Sequence, residues 1–450
     1  MGYTSKNNRR PFESASKASH HHIINDPEVQ AVMQRIEQRP QVDEVSMEQL
    51  IEDFKPSENN PVESIIAVDG GYTEVVLNKD FPSQSIHFLQ FGALFFKLDD
   101  LAEIDSSAFI DPKDMAKLKN IQRLKLALPT RNLCFKDTNT LKETVLKAIY
   151  EFFKKSNLDE DKSLIDTLAW FVFRRYKQGK RTEKEKSYNL ATNPLSSDRN
   201  QVRLLEEQMN RDYTFNCPET GGKIYLTDIF RLHEVIDEET GAGGILGYLV
   251  NVIEHLIIIH IIRILCNKKP EMLKKVLFIK DGSTGFFGQP ARLHDPMQDL
   301  VNWLLDEHNI LLTGLEKSGA FVDHAQDIQN KLERGKVLIP SDDYIYRYIS
   351  PRTSDSDHLY ANTSYYGHKV IFKTRNGQMY VVAVPVRELK KNPTINDLPN
   401  LQIILNNVEK LHCDMYDSAL FPVALVNKLV SLSAHPSQSI LAKFARNSSG

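Results

Sequence analysis

Two segments of this chain bring an aspartate and a glycine to the end of an apolar run: Ile66-Ala67-Val68-Asp69-Gly70 and Phe278-Ile279-Lys280-Asp281-Gly282. Each run reads as a buried strand, and the glycine permits a sharp exit. Glu254 lies between them in sequence, on a helix that leads into the second strand. Three carboxylates can thus converge at one edge of a sheet. Hard divalent cations such as Mg²⁺ or Mn²⁺ take an all-oxygen donor set, and a pair of ions about 4 Å apart can activate water and stabilise the leaving oxygen of a phosphodiester. The competing reading is structural: Asp-Gly after a strand is a common turn, and Glu254 can be one half of a buried ion pair with Arg263 or another basic residue.

Glu254 sits in the most apolar stretch of the chain, Ile245 to Cys266. That stretch is long enough to span a bilayer, but Glu254, His255, His260 and Arg263 interrupt it, and central charges cost about 2.5 to 3.5 kcal/mol each on insertion. A buried helix of a soluble protein is expected, with no membrane partner. At helical spacing Glu254 shares a face with Ile258, Ile261 and Leu265, so the carboxylate needs a cation or a donor.

The elements around these acids set the expected organisation. Residues 1–60 read as a polar arm with one amphipathic helix, capped by Asp26, opened by Pro27 and striped by Val29, Val32, Met33 and Ile36. Residues 61–105 read as the first part of a core, a meander of about three strands: Ile65–Val68, Tyr72–Leu77 and Ser85–Leu98. Residues 106–245 read as a mainly helical insertion, clearest at Leu141–Phe153 and Leu164–Tyr176. Residues 246–450 complete the core with the buried helix, strands at Val276–Ile279 and Ile310–Leu315, a helix near 295–308, and a hairpin whose Asn376-Gly377 predicts a type I′ turn. A further helix is expected at Leu420–Leu432, near the end.

Composition bounds the function. The 450 residues are 41% hydrophobic and 26% charged with a formal charge of −3, which is ordinary globular usage and excludes collagen-like, coiled-coil and wholly disordered classes. No global positive field draws the chain to nucleic acid, so DNA binding has to be local or helped by a partner. The run Arg174 to Lys186 could track phosphates, but its glutamates favour a solvated face. Four scattered cysteines fit a reducing compartment, and with no apolar leader in the first thirty residues a cytoplasmic protein is expected. Cys217 opens CPETGGK, half of a zinc ribbon, with Thr220 where a second sulfur belongs. No Walker lysine follows the glycines at 241–247, so ATP binding is not expected.

The segments IIAVDGGYTEVVL and LFIKDGS, the glutamate-bearing helix between them, GLEKSG and the hairpin ending YVVAVP together resemble the NurA nucleases of bacterial type, which work with the HerA ATPase. The resemblance covers roughly residues 61–105 and 246–435. It implies an α/β fold, an RNase H-like mixed sheet flanked by helices, here with a large mainly helical insertion. It also implies cleavage of DNA with Mn²⁺ or Mg²⁺. Carried over by position, Asp69 matches the first-strand metal ligand, Asp281 the acid after the later strand, and Glu254 the acid of the intervening helix. Lys317 matches a lysine the family often carries there; as a point charge it could hold a phosphate, while the competing reading is a solvated surface lysine. The family ends with a Tyr-Pro element and a His eight residues later; Phe421-Pro422 fits the first part, but the later position holds Leu429, leaving Asp414, Asn427 and His435 as alternatives for the fourth place. The implied partners are DNA, a HerA-like hexameric ATPase and a second copy in a homodimer, serving DNA-end processing or anti-phage defence. The alternative is a scaffold of the same fold that binds the motor or DNA without cutting.

Overall fold

A computed structural model describes residues 20–36, 40–56, 59–78, 83–99, 122–157, 162–196, 200–351, 359–413, 419–432 and 436–448. The chain forms two compact units, Met1–Asp43 and Glu44–Gly450. In the smaller, a short helix spans His20–Ile24 and the amphipathic helix spans Pro27–Arg35. Asp26 caps it by accepting from the backbone N–H of Glu28 and Val29. Val29, Val32, Met33 and Ile36 are all exposed.

The larger unit is a mixed α/β structure with a nine-stranded sheet flanked by helices. Its strands are β1 (Ile51–Asp53), β2 (Ser64–Asn78), β3 (Gln84–Lys97), β4 (Gln122–Arg131), β9 (Val276–Asp281), β10 (Leu311–Glu316), β11 (Lys336–Leu338), β12 (Gly367–Lys373) and β13 (Met379–Pro385). Two separate hairpins pair β5 (Ser187–Leu190) with β6 (Val202–Leu205) and β7 (Thr214–Asn216) with β8 (Lys223–Tyr225). The large sheet runs β1-β11-β12-β13-β10-β9-β2-β3-β4. At its centre β9 is parallel to both β2 and β10, and the other pairings are antiparallel.

Alternation along the strands sends side chains to two cores. Ile66, Val68, Phe278 and Leu312 share one core with Ile253, Leu256 and Ile257 of the long helix Leu246–Lys268. Ile65, Ala67, Leu277 and Ile279 share the other with Ile404 and Val408 of the helix Leu401–Lys410 and with Val423 and Val426 of the helix Phe421–Val430. The long helix is apolar enough to cross a membrane by length and composition. Here it is sequestered against the sheet, with Val252 to His260 all buried.

Four details differ from the sequence reading. Ser64–Asn78 is one continuous strand, and Asp69 lies in its interior, not at its end. Gly70 and Gly71 make close packing possible in place of a turn: a Cβ on Gly70 would stand 2.7 Å from the Phe91 ring, and one on Gly71 would stand 2.9 Å from the Val430 carbonyl oxygen. Gly282, by contrast, does make the expected sharp exit, with φ of +89°.

The region 106–245 is also less separate than an insertion, because β4 extends the main sheet beside β3 and Ala242 N–H donates to the Thr130 carbonyl. Similarly, β1 within the expected arm pairs with β11. Finally, the hairpin turns through Thr374–Gln378 with a positive φ only at Gly377 (+94°), so it is a type I turn followed by a left-handed glycine instead of type I′.

Candidate active site

The parallel pairing of β2 with β9 ends at Val68–Lys280, and β10 pairs with β9 up to Leu315–Asp281. Asp69 and Asp281 therefore each stand one residue beyond the last β2–β9 pair, level with one another on strands about 4.8 Å apart. By alternation both follow Ala67 and Ile279 to the face carrying the helix Phe421–Val430. Glu254 approaches from the opposite face on the long helix. All three line a cavity of about 680 Å³, together with Glu316, Lys317, Lys369, Phe287, Phe321, Tyr360 and Tyr365.

Asp69 is buried and has neutral bonding partners. Its Oδ1 accepts from the Gly70 N–H at 2.8 Å, and its Oδ2 accepts from Asn427 Nδ2 at 2.9 Å. Burial first, and the neighbouring Asp281 charge second, push its carboxyl up to about 6; Asn427 opposes them. Asn427 is one of the three alternatives for the fourth position. Asp414 and His435 lie outside the described residues.

Glu254 is tied to a cation that the sequence leaves unnamed. Lys280 Nζ stands 3.0 Å from Glu254 Oε2 and also donates to the Asp281 carbonyl oxygen at 2.8 Å. Burial pushes Glu254 up to about 7, against the pull of Lys280 and with added repulsion from Asp69 and Asp281. Arg263 is engaged elsewhere, donating to Thr167 Oγ1. Asp281 pairs with Lys317 Nζ at 2.8 Å, so the lysine expected to meet a phosphate lies at the cavity wall on an acid.

A further pair completes the wall. Glu316, one residue before Lys317, is 2.7 Å from Lys369 Nζ, and both are buried. Lys369 also donates to the Tyr365 hydroxyl at 2.8 Å and sits 4.1 Å from the centre of that ring and 4.5 Å from that of Phe321. Sequence reasoning missed Lys280, Glu316 and Lys369. A lysine inside the apolar run Leu277-Phe278-Ile279-Lys280 was a readable signal, since a buried ammonium needs a carboxylate.

No protein-family model and no curated protein matches this chain. Solved structures similar to it are NurA nucleases. The NurA nuclease from Sulfolobus solfataricus aligns over 96% of this chain and 97% of its own, at 10% identity and a TM-score of 0.35. A NurA structure with manganese aligns over 86% and 89% at 14% identity and 0.27, and a third NurA structure over 96% of both chains at 12% identity and 0.27. These superpositions are loose, so the chemistry has to be read from the residues themselves.

The donor chemistry suits an oxygen-ligated divalent ion at Asp69 and Asp281: two level carboxylates on one face, one of them without a cationic bonding partner and raised by burial and then by the other's charge. Among the described residues, however, no three His, Cys, Asp or Glu side chains stand close enough to form a metal-holding group. The reason is visible in the strand alternation. Glu254 comes from the other face, and Lys280 stands beside it. The remaining sequence candidates lie apart from this cavity. Cys217 is buried with Asn193 Nδ2 3.2 Å from its sulfur. Much of the basic run is engaged in ion pairs, Arg174 with Asp299, Arg175 and Arg181 with Glu206, and Lys177 with Glu185.

Proposed function

We propose that this chain is a divalent-metal-dependent DNA nuclease of the NurA type, built on an RNase H-like sheet. The observation that supports the reading most strongly is the placement of Asp69 and Asp281 at the same level of adjacent parallel strands, facing one cavity. When bound there, Mn²⁺ or Mg²⁺ would activate water and stabilise the leaving oxygen of a phosphodiester. The chain's own residues do the rest. Asn427 orients Asp69, Lys317 at the rim is free to exchange Asp281 for a phosphate oxygen, and the Phe287 ring at the cavity wall offers an apolar face for a base. The sequence resemblance supplies DNA as the substrate. With a charge of −3 and most of its basic run held in ion pairs, the chain would hold DNA weakly at physiological salt. A HerA-like hexameric motor feeding a homodimer in the cytoplasm would provide that affinity, in end processing or anti-phage defence.

The test is degradation of labelled single- and double-stranded DNA. Cleavage with Mn²⁺ or Mg²⁺ that stops on chelation is expected, and cleavage that is unaffected by chelation would overturn the reading. The scaffold alternative also has an observation in its favour: Glu254, Asp281 and Glu316 each already carry a lysine. Binding of DNA or motor without any metal-dependent cutting would establish it. For the partner, the exposed stripe on the Pro27–Arg35 helix is the proposed contact. Because Met1–Asp43 is a compact unit of its own, removing residues 1–40 should leave the nuclease folded and weaken assembly. Retention of the full complex by native mass measurement would rule the contact out.

A further inference from the structure

We propose that Lys280 is a built-in cation of this site, so that the cavity takes one divalent ion, on Asp69 and Asp281, and Glu254 is a positioning residue and not a ligand. This rests on the metal-nuclease reading and specifies the content of the same site.

The geometry carries it. Lys280 alternates with Asp281 along β9 and so points to the long-helix face, where its ammonium lies 3.0 Å from Glu254 and 2.8 Å from the carbonyl of Asp281. It is buried and held from both sides, so it is not a surface lysine that swings away when an ion arrives. A divalent ion bridging Glu254 to Asp281 would have to stand close to that ammonium. Two like charges at that range in a buried site are strongly unfavourable.

Charge balance gives the same number. The cavity wall brings together four carboxylates, Asp69, Glu254, Asp281 and Glu316, and three of them are paired with Lys280, Lys317 and Lys369. One formal negative charge remains. One divalent ion and one phosphodiester bring the site to neutrality, whereas a second ion leaves two positive charges uncompensated beside a buried wall. Asp69, the acid whose bonding partners are an amide and a backbone N–H, is where the remaining charge sits.

The experiment counts ions on the full-length, metal-free protein by titrating Mn²⁺ and following the free ion by electron paramagnetic resonance. Wild type is expected to bind one Mn²⁺ per chain. Glu254→Gln is expected to keep that count with affinity changed by no more than about threefold, while Asp69→Asn loses at least tenfold in affinity. Lys280→Gln, checked for folding by circular dichroism, is expected to gain a second Mn²⁺, and Lys280→Arg to stay at one. Two ions in wild type, loss of binding in Glu254→Gln, or a folded Lys280→Gln that still binds one would each overturn the proposal while leaving the nuclease reading in place. No Mn²⁺ on wild type would remove both.

Discussion

Two of the three lysine–carboxylate pairs at the cavity are of nearly equal length and have very different surroundings. Lys280 and Glu254 meet at 3.0 Å with side chains 4% and 7% exposed; Lys317 and Asp281 meet at 2.8 Å with side chains 30% and 18% exposed. Distance would rank the second pair as the stronger. Solvent reverses the order, because truncating one partner of a buried pair strands a charge in a medium that cannot solvate it, whereas the surviving half of a rim pair is taken up by water. The inner pair is therefore architecture and the rim pair is exchangeable. On the proposed nuclease reading, the inner pair would hold the shape of the site and the rim pair would yield to an incoming phosphodiester.

The largest effect that would sharpen this contrast is at Lys280. Lys280→Met should cost about 3 kcal/mol in urea denaturation, near the lower end of the usual range for breaking a buried pair because Glu254, already pushed up to about 7, can take a proton. A loss under about 1 kcal/mol would erase the distinction between the two pairs.

Next comes the pH dependence of stability. Asp69 is raised from 3.8 to about 6 and Glu254 from 4.5 to about 7. The folded chain therefore holds these protons more tightly than the unfolded chain, so their contribution to stability falls as pH rises from about 4 to about 7. Asp69→Asn removes the cost of ionising one of them and should raise stability at pH 7.5 by on the order of 2 kcal/mol. Denaturation curves that show Asp69→Asn less stable than wild type at that pH would mean the carboxylate is not repelled where it stands.

A smaller effect is expected at Asn427. Its hydrogen bond favours the charged form of Asp69, so Asn427→Ala should move the acidic limb of the activity profile to higher pH. A profile that drops in height without moving would assign Asn427 to packing alone. The smallest effect is at the rim: Lys317→Ala should change stability by less than about 1 kcal/mol while raising KM for DNA. An equally large stability loss at Lys317 and Lys280 would break the comparison.

What the sequence disclosed about this site follows from how local each signal is. Asp69, Asp281 and Glu254 were legible because an acid in an apolar run contradicts its surroundings whatever the fold. The partners were less so. Lys280 shows the same contradiction, but its pairing with Glu254 depends on the helix phase against the sheet. Asn427 could not be ranked beside Asp414 and His435, because only the packing of the helix Phe421–Val430 on β2 decides which side chain reaches Asp69. Gly70 and Gly71 resemble a turn in one dimension, and their purpose appears only when Phe91 and Val430 are brought alongside. Glu316 and Lys369 belong to strands separated by β13, a neighbour relation no local pattern records. The nine-stranded order likewise comes from long-range pairing, which is why β4 was missed inside a region otherwise rich in helix.

In the proposed function Asp69 and Asp281 act as one pair on a metal-activated phosphodiester. That joint action is tested most directly by cleavage of labelled DNA in Mn²⁺ by Asp69→Asn, Asp281→Asn and the double variant, each shown by circular dichroism to be folded. Either single substitution is expected to lower the rate by roughly a thousandfold or more, with the double variant scarcely worse, as for residues that work as a unit. Cleavage at the wild-type rate by either folded single variant would contradict it.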